Sequence, residues 1–410
     1  MFFRPILNTA VQILGKIVTV GISLVTTGIL TRKLGVSAYG SFTLITATFV
    51  LLDSLGDFGT RIIGVKQIAE KDKEEEKRRI FAQIGWLRLG MTGVAFLIGL
   101  ALFSWWPGFE GIKTEATIAL LMIWLTSLTG NLGIFWQSKE RMEYRVIIDI
   151  LFPLLFLISL WWWKDTVTLR WVFWVYLGAR TVSFLVGLWM LTNNLKFKIK
   201  DWLIKIDFKI IKKIFSETWP MGLYLLIFAS YDRAIDSMMI ERWVGIKEVA
   251  WYGLGYKIYS NLLQPVYFFV TSLFPLLSAK NGQKRKLFLG SLWLVTAGVL
   301  ILIPIVYFLA PLMVRILAGN DFGMSVVVLR ILLVAMAFSY VEHLVGFTLI
   351  AKGGQKIMLK LGLVALVVNI VGNVMAIPRY GIVGAAVVTG LTEAVACSLM
   401  GWRLWKMSRA

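Results

Sequence analysis

The chain alternates between long apolar stretches and short polar connections. A membrane-spanning helix needs about 20 mostly apolar residues to cross roughly 30 Å of hydrocarbon. Twelve stretches meet this requirement, at residues 8–31, 39–60, 81–105, 115–136, 146–163, 168–192, 216–240, 249–278, 287–310, 324–350, 359–377 and 381–402. The pattern predicts an all-α polytopic membrane protein with about 12 transmembrane helices.

The composition excludes a water-soluble protein. Hydrophobic residues make up 58% of the 410 residues and charged residues only 16%, whereas a typical soluble domain has about 25% charged residues. The chain has one cysteine, Cys397, and one histidine, His343, so neither an internal disulfide nor a metal site built from several Cys or His is expected. No phosphate-binding glycine loop is present, and we expect no cofactor.

The net charge of +20 has a topological explanation. With the N-terminus placed in the cytoplasm, the inner segments hold 28 Lys and Arg and the outer segments nine. This asymmetry is what the positive-inside rule expects, with both termini cytoplasmic in the cell membrane. The basic excess therefore indicates orientation in the membrane, and we expect no nucleic-acid partner.

The chain divides near its midpoint into two sets of six predicted spans. The polar stretch Asn193–Ser216 separates a lobe of residues 1–200 from a lobe of residues 201–410, which begins with a basic amphipathic helix expected at the membrane surface. The halves also share a pattern, because Tyr39-Gly40 opens the second span and Tyr252-Gly253 opens the eighth. Repeated halves are a common plan in transporters.

Four segments resemble a known family. They are Ile29–Gly40 continuing to Leu55–Gly59, Tyr231–Arg233 with Tyr252-Gly253 and Leu273–Pro275, Thr348–Lys356, and Ile377–Ala386 followed by Thr389 and Glu393. In these segments the chain is similar to the polysaccharide transporters of the multidrug/oligosaccharidyl-lipid/polysaccharide superfamily, which are flippases of polyprenyl-linked sugar units such as O-antigen units.

The resemblance implies two six-helix lobes around a central cavity and alternating access to the two leaflets. It also implies three kinds of partner: a polyprenyl-diphosphate-linked oligosaccharide, the lipid bilayer and polysaccharide-assembly proteins. Many relatives carry two further C-terminal spans, which line a lipid groove in lipid II flippases. Twelve predicted spans therefore lead us to expect a substrate other than lipid II.

Basic residues within or beside the predicted spans are candidates for binding the diphosphate. Planar guanidinium groups bind phosphate oxygens through pairs of parallel hydrogen bonds. Four candidates are expected to face the cavity and two to lie at its mouths: Arg88, Arg180, Arg233 and Lys257, then Arg32 and Arg145. The alternative for each is a salt bridge to a buried carboxylate, or an extended side chain that reaches the lipid head groups.

Ionisable groups in the spans that can exchange a proton or bind a cation are candidates for ion coupling, to Na⁺ or H⁺. They are Asp53, Asp57, Asp232, Asp236, Glu342, His343 and Glu393. Asp53 and Asp57 share a helical face that Arg61 continues, so an Asp57–Arg61 pair is an equally good interpretation.

Two carboxylates in the seventh span, Asp232 and Asp236, also share a face and suit reversible protonation. Neutralisation by Lys257 or Lys16 is the alternative.

Glu342 and His343 are adjacent and project about 100° apart, so they form no obvious pair. A lone histidine in the membrane can carry protons, although it is more often a packing residue.

Three functions remain open from the sequence alone. The first is the flippase, which the resemblance favours. The second is a multidrug or cation antiporter of the same superfamily, for which we would expect a cavity dominated by carboxylates and aromatic residues. The third is a membrane glycan polymerase or ligase, which the short outer connections disfavour. We therefore expect a secondary transporter and not an enzyme.

Overall fold

Helices account for all regular secondary structure in the described residues, which are 3–163, 167–194, 204–278 and 284–409 of the computed structural model. The helices are α1 Phe3–Asp57, α2 Thr60–Ala69, α3 Glu74–Trp105, α4 Lys113–Ser138, α5 Met142–Trp162, α6 Leu169–Asn194, α7 Phe208–Ala229, α8 Ile235–Trp243, α9 Ile246–Leu262, α10 Gln264–Ser278, α11 Lys284–Ala318, α12 Met324–Ala351 and α13 Gln355–Arg409. The predicted all-α class is confirmed.

Eight helical segments of the described chain are long and apolar enough to cross a membrane. Two of them, Val11–Ala69 and Lys356–Met407, have 59 and 52 residues, enough for two crossings each. Each contains a glycine with a positive φ, Gly35 at 72° and Gly381 at 57°, which breaks the helical path. Glycine takes this backbone conformation without the steric cost that a Cβ would impose.

Two further crossings are interrupted helices. A π-helical turn, Ser230–Ala234, joins α7 to α8, and α9 ends just before Pro265, whose missing N–H cannot continue the helical hydrogen bonds. The hydroxyl of Tyr340 donates to the carbonyl oxygen of Leu262 at 2.6 Å, where α9 ends. Counted in this way, the described residues contain the twelve predicted crossings.

The chain forms two compact units. The first comprises Met1–Leu34 and Ile45–Ala229, and the second comprises Gly35–Leu44 and Ser230–Ala410. In the first unit a buried core includes Phe81, Ile134 and Trp136. The predicted boundary at residue 200 falls within residues 195–203, outside the described part of the chain.

Residues 204–207 are bound to α3 within the first unit. Gln83 donates to the carbonyl oxygen of Lys205 at 3.0 Å and accepts from the backbone N–H of Asp207 at 2.8 Å. Trp86 donates to the carbonyl oxygen of Ile204 at 3.1 Å. The polar connection is thereby fixed to the first unit just before α7, which runs without a break from Phe208 into the predicted seventh span.

The start of α7 is capped by Asp207. Its carboxylate accepts from the backbone N–H groups of Lys209 at 3.0 Å and Ile210 at 3.2 Å, and from the Arg79 guanidinium at 2.8 Å. The hydrogen bond from Ile210, reinforced by Arg79, holds the pKa of Asp207 below its ordinary value. A protonated Asp207 no longer has the negative charge that accepts these hydrogen bonds at the start of α7. The attachment is therefore retained at pH values above the ordinary pKa of aspartate, and it is lost as the pH falls through the lowered pKa of Asp207.

Replacing Gln83 by alanine is expected to loosen this connection. The side chain is fully buried, and its removal leaves a backbone donor and a backbone acceptor without their partner, a cost of about 1–3 kcal/mol. Hydrogen exchange at the Asp207 amide should become faster, while Gln67→Ala, which removes an exposed hydrogen bond to Glu217, should leave it unchanged. Unchanged exchange in Gln83→Ala would contradict the attachment.

Candidate functional site

A cavity of about 240 Å³ lies within the first unit. Five charged residues contribute to its lining: Asp53, Arg61, Arg145, Asp149 and Arg180. Three guanidinium groups and two carboxylates leave the cavity with an excess of one positive charge. Three of the predicted site residues, Asp53, Arg145 and Arg180, therefore meet in one place, together with Arg61 and Asp149.

Five helices position these side chains. Asp53 lies near the end of α1, Arg61 near the start of α2, and Arg180 on α6. Arg145 and Asp149 lie one turn apart on α5, with the Arg145 Nε 3.7 Å from the Asp149 Oδ2. The α4 helix completes the wall with Thr126, Thr129, Gly130, Gly133 and Trp136.

The face of Arg180 is covered by an aromatic ring. Its guanidinium carbon lies 3.8 Å from the centre of the Phe152 ring, a cation–π contact. This contact uses the flat face of the guanidinium, whereas its N–H groups lie in the plane at the edge. Phe152 is itself packed edge-on against Tyr176, with 4.7 Å between ring centres, which fixes the orientation of the platform.

A buried ion pair lies beside the cavity. Arg88 is 1% exposed, and its guanidinium pairs with Asp57 and donates to the Thr60 hydroxyl at 2.7 Å and the Ser127 carbonyl oxygen at 3.2 Å. Arg61 also approaches Asp57, at 3.7 Å. The structure thus gives Arg88 and Asp57 the salt bridge that was the alternative interpretation, and Arg88 is not in the lining of the cavity.

In the second unit a buried carboxylate has only uncharged partners among the described residues. Asp236 is fully buried and accepts hydrogen bonds from Tyr252 at 2.5 Å, Asn373 at 2.7 Å and Thr389 at 3.4 Å. The Asn373 side-chain amide also donates to Asn369 at 3.2 Å. The side-chain oxygen of Asn373 has no donor in the described chain and is also buried. We call these five residues the Asp236 cluster.

The neighbouring carboxylate, Asp232, lies on the π-helical turn and accepts from Tyr256 at 2.7 Å. Within the described residues of the second unit, neither Asp232 nor Asp236 has a lysine or arginine nitrogen within 4.0 Å, so Lys257 does not pair with them. Arg233 and Lys257 are half-buried, and Arg32 is exposed on α1, three residues before the break at Gly35.

A second group of titratable residues connects α12 to α13. Glu393 on α13 accepts a hydrogen bond from the Ser339 hydroxyl on α12 at 2.7 Å. The His343 ring nitrogen Nδ1 lies 2.7 Å from the Ser339 carbonyl oxygen. Tyr259 shares a hydrogen bond of 2.8 Å with the Ser339 hydroxyl, which links α9 to the group.

Several of these site residues were not identified from the sequence as members of a site. Arg61 was considered only as a partner of Asp57, and Trp136 as part of a span. The sequence does contain a signal for Asn369 and Asn373. They lie four residues apart in an otherwise apolar span, and two amides on one face of a membrane helix indicate a polar site because they need hydrogen-bond partners. A search restricted to ionisable residues overlooks them.

Comparison with solved structures identifies the fold. An inward-facing multidrug resistance MATE family transporter of the MOP superfamily has a TM-score of 0.77 and 12% identity, covering 95% of each chain. The lipid II flippase MurJ, in an inward closed conformation, has a TM-score of 0.77 and 14% identity over 97% of this chain and 87% of its own. A Vibrio cholerae MATE transporter, VcmN, has a TM-score of 0.66 and 14% identity over 99% and 96%. The protein is therefore a multi-pass membrane protein with the fold of the MOP superfamily.

The family follows from the sequence comparison. A family model described as polysaccharide biosynthesis protein matches residues 6–280, about two thirds of the chain. The chain belongs to this family, as the resemblance in its four segments indicated. No curated protein sequence matches it.

Proposed function

We propose that the protein is a flippase that moves polyprenyl-diphosphate-linked oligosaccharide units from the inner to the outer leaflet. The observation that carries the proposal is the cavity with three arginines in the first unit, because a cationic pocket among membrane-spanning helices suits an anionic head group whose lipid tail stays in the bilayer. Family membership supports a role in polysaccharide biosynthesis.

The proposed cycle is alternating access between the lobes of residues 1–200 and 201–410, in the cell membrane and with both termini cytoplasmic. The orientation is supported by the Lys and Arg count of the inner and outer segments. The drug-antiporter alternative is not favoured, because the family to which the chain belongs is described by polysaccharide biosynthesis, whereas these two MATE transporters, at 12% and 14% identity, share its fold alone.

Reconstitution tests the flippase activity directly. Liposomes would carry a polyprenyl-diphosphate-linked disaccharide in both leaflets, and a membrane-impermeant glycosidase would be added outside. Without transport about half of the sugar is cleaved, whereas with the active protein nearly all should be cleaved. Cleavage that stays at half in the presence of folded protein would contradict the proposal. In cells that lack the chain, the same lipid-linked glycan should accumulate on the inner leaflet.

We further propose that the Asp236 cluster holds the coupling ion of this flippase. A carboxylate, amide oxygens and hydroxyl oxygens are ligands of hard cations, and the undonated oxygen of Asn373 supports an ion-binding role. The same carboxylate can take up a proton, because no described basic group is paired with it. Both interpretations make Asp236 the residue whose negative charge is neutralised during the cycle, by a bound cation or by a proton.

Replacing Asp236 by asparagine is expected to remove the response to an ion gradient. The change conserves shape and removes the charge, so gradient-driven transport should fall by about tenfold or more. Imposing Na⁺ and H⁺ gradients separately identifies the ion. Asp321→Asn, an exposed site in the same unit, should transport like the unmodified protein. An undiminished gradient response in Asp236→Asn would place coupling elsewhere.

A further inference from the structure

We propose that the start of α7 is a binding surface for anionic phospholipids of the membrane, with the ammonium groups of Lys209, Lys212 and Lys213 as the ligands of the lipid phosphate. We call these three residues the α7 lysines. The surface goes beyond the proposed function, because it recognises the surrounding membrane and not the transported substrate. It lies at the end of the span that the count of Lys and Arg assigns to the inner leaflet.

The first two turns of α7 precede the apolar part of its span. The predicted seventh span begins at residue 216, whereas α7 begins at Phe208 and continues into the span without a break. Residues 208–215 form about two turns of helix, a rise of about 12 Å. This part of α7 therefore extends from the hydrocarbon into the head-group region, where the lipid phosphates are found.

The helix buries one face in the protein and exposes aromatic and basic side chains on the others. Ile210 and Ile214 pack into the core of the first unit. Phe208 is 78% exposed, and Phe215 and Trp219, two and three turns further along the same face, are exposed as well. The α7 lysines are exposed beside this aromatic face. Aromatic rings next to lysines are typical of a helix at the interface between head groups and acyl chains.

The α7 lysines have no acidic partner in the part of the chain that the structure describes. Within it, no carboxylate oxygen lies within 4.0 Å of their ammonium groups, although acidic residues are close in sequence. Asp207 is bound by Arg79 at 2.8 Å and caps α7, and Glu217 accepts from Gln67 at 2.8 Å. Lipid phosphate oxygens can supply the partners, since a lysine ammonium binds phosphate as a compact point charge.

Another basic segment of the first unit has a different arrangement. Three of its lysines each pair with a glutamate: Lys66 with Glu70 at 3.7 Å, Lys71 with Glu76 at 3.8 Å, and Lys77 with Glu74 at 3.3 Å. The positive-inside rule treats the two segments alike, because it counts basic residues and not their partners. The structure separates them, since the α2–α3 lysines are neutralised within the protein and the α7 lysines face an external anion.

The backbone that carries the α7 lysines is fixed before any lipid binds. The residues just before α7 are hydrogen-bonded to Gln83 and Trp86 of α3. The helix itself packs on the core through Ile210 and Ile214. A lipid head group therefore meets lysines on an ordered helix, and binding does not have to overcome the entropy of ordering a loop.

Native mass spectrometry of the purified full-length protein measures the binding of phosphatidylglycerol and of zwitterionic phosphatidylcholine. Phosphatidylglycerol should bind at least about tenfold more tightly, since each lysine near a membrane surface contributes about fivefold to the attraction of an anionic lipid. The triple variant Lys209→Gln, Lys212→Gln and Lys213→Gln should bind the two lipids equally well. Arginine at the same three positions retains the charge and should retain the difference.

The matched control removes the same number of charges from the paired lysines. Lys66→Gln, Lys71→Gln and Lys77→Gln change the net charge by the same amount as the α7 variant, at residues of the same unit that already have acidic partners. This control should bind phosphatidylglycerol within about twofold of the unmodified protein, because exposed paired charges contribute little. A loss as large as that of the α7 variant would show that net charge attracts the lipid and would overturn the proposal.

Photo-crosslinking locates the bound lipid. A phosphatidylglycerol that carries a diazirine near its head group should label residues 208–219. Phe208→Gln should reduce the labelling severalfold, because the acyl chains lose an aromatic contact, whereas Phe308→Gln, at a 76% exposed position on α11, should leave it unchanged. Inorganic phosphate in large excess should not displace the label, since it has no acyl chain to pack against the aromatic face.

The remaining outcomes decide the assignment without reference to transport. Equal binding of the two lipids by the unmodified protein, or labelling confined to other helices, overturns the surface. Displacement of the label by inorganic phosphate shows a site for free anions and overturns the assignment to a lipid. Neither measurement requires transport, so a failure here leaves the flippase proposal standing, and a failed transport assay leaves this surface standing.

Discussion

Replacing Arg88 by leucine is expected to lower the free energy of unfolding by about 3–5 kcal/mol. The substitution leaves the Asp57 carboxylate buried at 8% exposure without its main partner, and removing one member of a buried pair costs far more than the pair itself contributes. It also removes the donors to the Thr60 hydroxyl and the Ser127 carbonyl oxygen. Denaturant unfolding in detergent micelles, followed by tryptophan fluorescence, measures the loss.

Two comparisons distinguish the buried pair from a general loss of charge. Lys66→Ala breaks an exposed pair with Glu70, and such pairs contribute about 0–1 kcal/mol. The double variant Arg88→Leu with Asp57→Leu removes both charges and should recover at least half of the loss, since no buried ion then lacks its counterion. An Arg88→Leu protein as stable as Lys66→Ala would show that this ion pair does not hold α1, α3 and α4 together.

Replacing Gly40 by alanine is expected to lower the free energy of unfolding by about 2–3 kcal/mol. A Cβ at this position would lie 2.0 Å from the backbone carbonyl oxygen of Ile246, so one of two backbones must move. Gly253 makes the reciprocal approach, since a Cβ there would meet the Thr43 side chain at 2.3 Å. A side chain can rotate away more easily than a backbone can move, so Gly253→Ala should cost less than Gly40→Ala.

The matched control for both variants is Gly21→Ala. Gly21 lies on α1, and a Cβ added there would meet nothing within 4 Å. Alanine is also the better helix former by about 1 kcal/mol, so no loss of stability is expected. Thermal unfolding of the three variants in the same detergent should give the lowest midpoint temperature for Gly40→Ala, an intermediate one for Gly253→Ala and the highest for Gly21→Ala. Equal midpoints for Gly40→Ala and Gly21→Ala would contradict the close contact of α1 with α9.

The contacts of these glycines explain the repeated Tyr-Gly pattern of the sequence. The repeated Tyr-Gly at residues 39–40 and 252–253 suggested two related halves, but the sequence did not say why glycine is needed. In the second unit Gly40 lies against Ile246 and Gly253 lies against Thr43, so each glycine admits the other helix. The tyrosines have separate partners, because Tyr39 packs edge-on against Phe322 at 5.7 Å and Tyr252 donates to Asp236.

The number of membrane crossings was determined by the sequence itself. Crossing a bilayer requires about 20 consecutive apolar residues, and this requirement is local along the chain, so it can be counted without knowledge of packing. Breaks at Gly35 and Gly381 follow from the same kind of local information, because glycine readily adopts a positive φ. The class of fold was therefore predictable.

The role of each charged residue was decided by the tertiary structure. Arg88 and Arg180 are both single arginines in apolar spans, and the sequence gives no reason to separate them. Packing surrounds Arg88 with Asp57, Thr60 and Ser127, whereas it leaves Arg180 on Phe152 at the edge of a cavity. A guanidinium can bind a ligand only where the fold has not already satisfied its donors, and that depends on residues distant in the chain.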